Sequence, residues 1–238
     1  MKMVKSFLIL IFSLTAFTGL RAQTADDIVN KYLDAVGGKD KIAQVKSIHM
    51  ENTVEAMGGE GPSTITILNG KGYRIDSEIN GSKITQVYTD KGGWAINPFM
   101  GGTTAQAIPD EVYKQNKDRL DAGGPLYNYA AKGYKVTLDG KEAGAYKLKV
   151  VTGDSVEMEL YIDSASYNLV KLTSSASMMG QTMEIVTTFS DFKKSDFGLV
   201  YPYTTEISFG GQFDITSKVK KLEINQEVDP KIFDMPKS

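Results

Sequence analysis

Between residues 145 and 226 apolar and polar side chains alternate with a period of two. Val156, Met158, Leu160 and Ile162 alternate with Glu157, Glu159 and Tyr161. Met183, Ile185, Thr187 and Phe189 alternate with Glu184, Val186 and Thr188, and Tyr203, Thr205, Ile207 and Phe209 with Thr204, Glu206 and Ser208. This is the signature of antiparallel strands with one buried and one wetted face. Upstream, Ile48, Met50, Val54 and Ala56 share one face of a strand, and Ile65 and Ile67 mark the next. Tyr73, Ile75 and Ile79 lie opposite Arg74, Asp76 and Glu78, and Asn80-Gly81 then signals a hairpin turn. Residues 84–89 and 94–97 add two strands, and Tyr134–Leu138 and Tyr146, Leu148 and Val150 two more. In the final strand Phe213, Ile215 and Val219 have one parity and Leu222 and Ile224 the other, which predicts a β-bulge near Lys220-Lys221. The count comes to about 11–12 strands.

Helices are few. Residues 24–36 carry an apolar stripe (Ile28, Val29, Tyr32, Leu33, Val36), with Thr24 and Asp27 placed as a capping box and Gly37-Gly38 as the stop. Residues 40–44 form a short second turn. From 98 to 133 the strand rhythm breaks; residues 109–120 look helical, and Gly123-Gly124-Pro125 ends them. This insertion is either a lid or a plug at one end of the sheet. The expected fold class is mainly β (α+β): a large antiparallel half-open β-barrel with an N-terminal helix and a helical lid insertion. A sheet of that width curves around more space than two or three short helices fill, so an apolar hollow is expected inside.

Lys2 and Lys5 precede an apolar run at residues 7–17, and Leu20-Arg21-Ala22 precedes Gln23. That is the layout of a secretory signal peptide over residues 1–22, cleaved near Ala22/Gln23 and too short for a stable span. Residues 23–238 are then expected to form a single domain, with 98–133 as its lid, in the periplasm or, alternatively, secreted. The chain contains no cysteine, which excludes disulfides, thiol chemistry and a lipidated cleavage site. Loss of Lys2, Lys5 and Arg21 moves the formal charge from −2 to −5. A mildly acidic chain without a basic patch does not suit nucleic acid. A monomer is expected.

The chemistry-bearing residues are sparse. His49 is the single histidine and falls on the polar face beside Glu51, so with no cysteine a transition-metal site is not expected. No Gly-x-Ser-x-Gly elbow is present, and Asp196-Phe197-Gly198 lies between two strands, where it reads as a turn. No catalytic residue, metal ligand or cofactor is predicted; a carboxylate hydrolase is the weakest of the competing readings.

Several short motifs occur in a telling order. Leu160-Tyr161-Ile162-Asp163 is followed by Leu169-Val170-Lys171, then Ser190-Asp191-Phe192, Gly198 and Tyr201-Pro202, and finally Val228-Asp229-Pro230 with Phe233 and Pro236. This series, with the opening helix, resembles the outer-membrane lipoprotein carrier and sorting proteins (LolA-like, with LolB and LppX-type relatives). The resemblance implies an incomplete β-barrel, helices that close over an apolar cavity, and acyl chains of lipoproteins or other lipids as ligands. A membrane-bound donor or acceptor protein would be the partner. The lipid-binding lining expected here is Ile65, Ile67, Tyr73, Ile75, Val87, Trp94, Val112, Met158, Leu160, Met183, Ile185, Ile207 and Phe209. One departure stands out: the carriers resemble one another in an early Arg-Pro pair that helps hold the lid, whereas this chain has Tyr73-Arg74-Ile75. Whether the Arg74 region latches a lid is therefore open. The alternative is a non-enzymatic envelope sensor or interaction module on the same fold.

Overall fold

The computed structural model describes residues 23–178 and 181–236, so the predicted signal peptide lies outside the described residues. The first helix, α1 (Ala25–Ala35), begins as its sequence dictates. Thr24 Oγ1 accepts from the Asp27 N–H at 3.2 Å, and Asp27 Oδ2 accepts from the Thr24 N–H at 3.0 Å. The helix ends where Gly38 N–H donates to Leu33 O at 2.8 Å. Gly37 has φ 125°, and a Cβ there would stand 2.8 Å from the Gly198 carbonyl, so both backbone and space require glycine. A single turn, α2 (Lys39–Ala43), leads into the sheet.

Thirteen antiparallel strands make up one open sheet among the described residues. The first meander holds β1 (Ser47–Ala56), β2 (Gly59–Leu68), β3 (Gly72–Ile79), β4 (Ser82–Thr89), β5 (Gly92–Asn97) and β6 (Gly102–Ala107). The second holds β7 (Lys135–Glu142), β8 (Ala145–Val151), β9 (Glu157–Asp163), β10 (Leu169–Met178), β11 (Gln181–Lys194), β12 (Val200–Phe209) and β13 (Phe213–Ile224). Pairing of β1 with β13 joins the two meanders, and β6 and β7 are the free edges. Asn80 (φ 51°) and Gly81 (φ 75°) form the predicted β3–β4 turn.

The predicted bulge is present. Glu51 pairs with Lys221 but Asn52 with Val219, so Lys220 is the extra residue, and Leu222 and Ile224 return to the face of Met50 and Ile48. The strand count exceeds the expected 11–12. Strand β6 falls in the segment expected to hold no strand; its Gly-Thr-Thr-Ala-Gln-Ala sequence carries no apolar alternation and stays largely exposed. Backbone pairing with β5, not burial, defines it.

The main core sits on the concave face under α1. Ile28, Val29 and Leu33 of the helix cover Leu148 and Val150 of β8 and Leu160 and Ile162 of β9, all four at 0% exposure. A small cluster of Val54, Ala56 and Ile79 closes the far end of the same face. A third cluster, Val87, Trp94 and Phe233, lies on the convex face. There the C-terminal segment crosses β3–β5 through a 3₁₀ turn, Pro230–Phe233. Trp94 Nε1 donates to Phe233 O at 2.9 Å, and Arg74 Nη1 to Ile232 O at 2.6 Å.

Candidate functional site: a concave apolar face and its cover

The segment between β6 and β7 runs from one free edge of the sheet to the other. It contains α3 (Asp110–Asn116) and a 3₁₀ turn, Lys117–Leu120, close to the helix expected at 109–120. Its first half docks on the first meander. Ile108 N–H donates to Gly93 O at 2.9 Å, Tyr113 Oη to Thr89 O at 2.7 Å, and Gly70 N–H to Leu120 O at 2.7 Å. Aromatic rings continue the contact: Tyr113 stacks on Tyr88 at 6.5 Å, and Tyr88 meets Tyr73 at 6.1 Å. The Arg119 guanidinium lies 5.4 Å from the centre of the Tyr73 ring and donates to its hydroxyl at 3.2 Å.

The second half of the connection reaches the other meander and α1. Lys117 pairs with Asp154 in the β8–β9 turn, Tyr134 Oη donates to Asp118, and Tyr129 Oη to Asp26. Burial, aided by Asp118, raises the Tyr134 pKa well above that of an ordinary tyrosine. Leu126 of this half is buried in the main core at 1% exposure, and Ala122, Tyr127, Tyr129 and Tyr134 pack against that core while only partly buried. The cover is thus held by small polar contacts, by the buried Leu126 and by partly buried aromatic rings. Partly exposed ion pairs of this kind contribute about 0–1 kcal/mol each.

The concave face is unevenly filled. Ile65, Ile75, Met183, Ile185, Ile207 and Phe209 are half-buried and belong to none of the three buried clusters. Ile67 and Met158, also half-buried, sit at the margin of the main core. These eight predicted lining residues share the concave face, as the register requires. Two half-buried tyrosines pack against the main core. Burial pushes the Tyr32 hydroxyl of α1 up to about 12, and burial together with Tyr32 raises Tyr201 on β12. Both tyrosines nonetheless keep some accessible surface. Two surface hollows lie elsewhere. One of about 390 Å³ is bounded by Asn69, Gly70, Tyr113, Lys117, Leu120 and Tyr127, and another of about 660 Å³ opens on the outer face beside the bulge, bounded by Glu51, Thr53, Glu60, Pro62, Thr64 and Lys220 among others.

The other predicted lining residues lie elsewhere. Val87 and Trp94 are on the convex face under the C-terminal segment: Val87 pairs with Arg74 and Trp94 with Val87, and the Arg74 guanidinium lies 5.9 Å from the Trp94 ring centre. The expectation for these two is corrected by that register. Leu160 faces inward but is fully covered by α1, and Tyr73 is buried at the dock of Arg119. Val112 is half-buried on α3. Arg74 is bonded to Asp76 at 2.6 Å and to the C-terminal segment, not to the connection; the arginine that engages the connection's dock is Arg119.

On the outer face His49, Glu51 and Glu223 bring ligand-type atoms within 4.8 Å of one another. His49 Nδ1 also meets Thr66 Oγ1 at 3.0 Å, and Lys221 pairs with both carboxylates, at 3.7 Å to Glu51 and 3.0 Å to Glu223. Lys221 offsets one of the two carboxylate charges, and the group is partly exposed to solvent. Asp196-Phe197-Gly198 forms the β11–β12 turn.

Comparison with known proteins finds no matching family model and no matching curated protein. Solved structures share the fold. A LolA superfamily protein from Nitrosomonas europaea is 13% identical, with a TM-score of 0.56 over 90% of this chain and 98% of that one. A domain assigned to outer membrane lipoprotein sorting, from Vibrio parahaemolyticus, is 12% identical, with a TM-score of 0.55 over 88% and 97%. A DUF1329 family protein from Desulfovibrio piger is 11% identical, with a TM-score of 0.55 over 90% and 98%. At such identities the likeness is one of fold. The chain has the LolA-like fold that the motif series implied. Among the described residues no helix is long and apolar enough to cross a membrane.

Proposed function

We propose that this protein is an exported carrier that shields acyl chains of lipoproteins or other lipids on its concave face, with the connection at residues 108–134 as the gate. The observation that carries the proposal is the set Ile65, Ile75, Met183, Ile185, Ile207 and Phe209: apolar, on one curved face and half-exposed. An apolar face of this kind, left out of the core, marks a place for an apolar ligand. The lipoprotein-sorting domain and the LolA superfamily protein with the same fold add support. Energetics limit the mode of binding. Each buried CH₂ contributes about 0.8 kcal/mol, so one chain of about 14 CH₂ groups gives roughly 11 kcal/mol. Three such chains would exceed the practical ceiling of about 20 kcal/mol. Opening the cover therefore offsets part of the gain, or the chains enter only in part, and either keeps release to a membrane-bound acceptor feasible. Mass spectrometry of solvent extracts from the purified protein tests the proposal. Co-purifying phospholipid or lipopeptide is expected, and deletion of residues 100–131 should speed its loss; a lipid-free protein that also takes up no added lipid refutes the reading.

A further inference from the structure

The concave face has one polar interruption. Asn52 on β1, Ser63 on β2 and Ser77 on β3 are direct cross-strand partners, so their side chains form a row over three strands. Apolar side chains surround the row on the same face: Met50 and Val54 along β1, Ile65 along β2, Ile75 and Ile79 along β3, and Val219 across the bulge. Asn52 is 5% exposed and Ser63 4%. The two serines satisfy each other, Oγ to Oγ at 2.8 Å. The Asn52 Nδ2 group is buried and, among the described residues, donates to nothing. The bulge accounts for this: the ladder slips between Glu51 and Asn52, Lys220 is the extra residue, and Val219, opposite Asn52, has no side-chain acceptor.

An unpaired buried amide costs more than a paired one gains, and an apolar side chain would fill this position more favourably if only hydrocarbon were bound there. The group that matches a lone N–H donor ringed by hydrocarbon is an acceptor that brings no donor of its own and is attached to an alkyl chain. An acyl carbonyl has that chemistry. We infer that the Asn52–Ser63–Ser77 row is the docking point for the ester carbonyl of a bound acyl chain, with Asn52 Nδ2 donating to its oxygen and the chain running over Ile65 and Ile75. This rests on the proposed lipid-carrying function and assigns the acyl linkage, rather than the hydrocarbon alone, a place on the concave face.

Two lysophosphatidylcholines of equal chain length, one with an ester linkage and one with an ether, differ only by that carbonyl. Their affinities are read below the micelle concentration by displacement of an apolar fluorescent dye. The wild-type protein is expected to hold the ester about two- to tenfold more tightly, the worth of one net hydrogen bond. Asn52→Leu should remove the preference by weakening the ester alone, and Asn52→Ala should do the same. The wild-type pair decides the matter even where a variant does not fold. Equal affinity for ester and ether in the wild type overturns the inference while the carrier function stands; failure to bind dye and both lipids overturns the carrier function itself. A diacylglyceryl lipopeptide and a diacyl phospholipid both carry the carbonyl. Preferential displacement of the ester by either one supports the contact and identifies which source the site favours.

Discussion

Strands β8 and β9 and strands β11 and β12 are written in the same alternating code, yet they end in different states. Leu148, Val150, Leu160 and Ile162 are sealed at 0% exposure, whereas Ile185, Ile207 and Phe209 remain half-buried on the same concave face. The difference lies in what covers them. One helix with three inward apolar residues closes over the first pair of strands, and the second pair has no counterpart. Alternation therefore identifies the face that turns inward, but only the inventory of covering elements decides whether that face becomes core or binding surface.

The contrast can be broken most forcefully from the sealed side. Leu160→Ala should cost about 2–5 kcal/mol in urea unfolding, as for other buried leucines. Ile207→Ala should cost well below that, about 1 kcal/mol or less, while weakening dye and lipid binding; equal costs would mean that the two regions are equally packed. On the convex face a Cβ at Gly72 would meet the Phe233 ring at 2.6 Å. Gly72→Ala should therefore destabilise by about 1–3 kcal/mol and free the C-terminal segment to proteolysis, with lipid affinity unchanged. Thr24→Ala removes the cap of α1 and should cost about 1 kcal/mol, with a rise in apolar dye binding as the helix loosens over β8 and β9.

The smallest effect is on acid stability. Burial works against the Asp76 carboxylate, but hydrogen bonds from Arg74 and Thr85 and the Arg74 charge outweigh it and hold the pKa below the usual aspartate range. A depressed carboxylate stabilises the fold above its unfolded pKa, and that contribution disappears as pH falls through the folded value. Asp76→Asn should accordingly flatten the acid limb of the melting curve, with the loss localised by hydrogen exchange to the C-terminal segment.

Much of the fold was legible in the sequence. The capping box at Thr24 and Asp27, the turn at Asn80-Gly81 and the bulge at Lys220 are local devices, and local chemistry determines them. Strand β6 was not legible, because Thr103, Thr104 and Gln106 bury no face that would impose a pattern. The misplacement of Val87 is instructive. A two-residue turn at Asn80-Gly81 sets Ile79 against Ser82, and hence Arg74 against Val87 and Tyr73 against Tyr88. Counting back from that turn puts Val87 with the polar face of β3 and reveals Tyr88 as the partner of Tyr73. Nothing local could have shown that Phe233 would return to bury Val87 and Trp94, since that contact joins residues about 140 positions apart, as the Trp94–Phe233 hydrogen bond does. The Asn52–Ser63–Ser77 row likewise becomes visible only when three strands are in register.

The seam between β1 and β13 sets a condition on how the molecule is made. Ile48 pairs with Ile224, so the middle of the sheet joins the earliest and latest strands of the chain. Such distant closure is slow, because the loop entropy is lost before the contact rewards it. A chain emerging from its amino end could zip each meander separately, yet its central strand would wait with one rim bare until the final twelve-residue strand arrived.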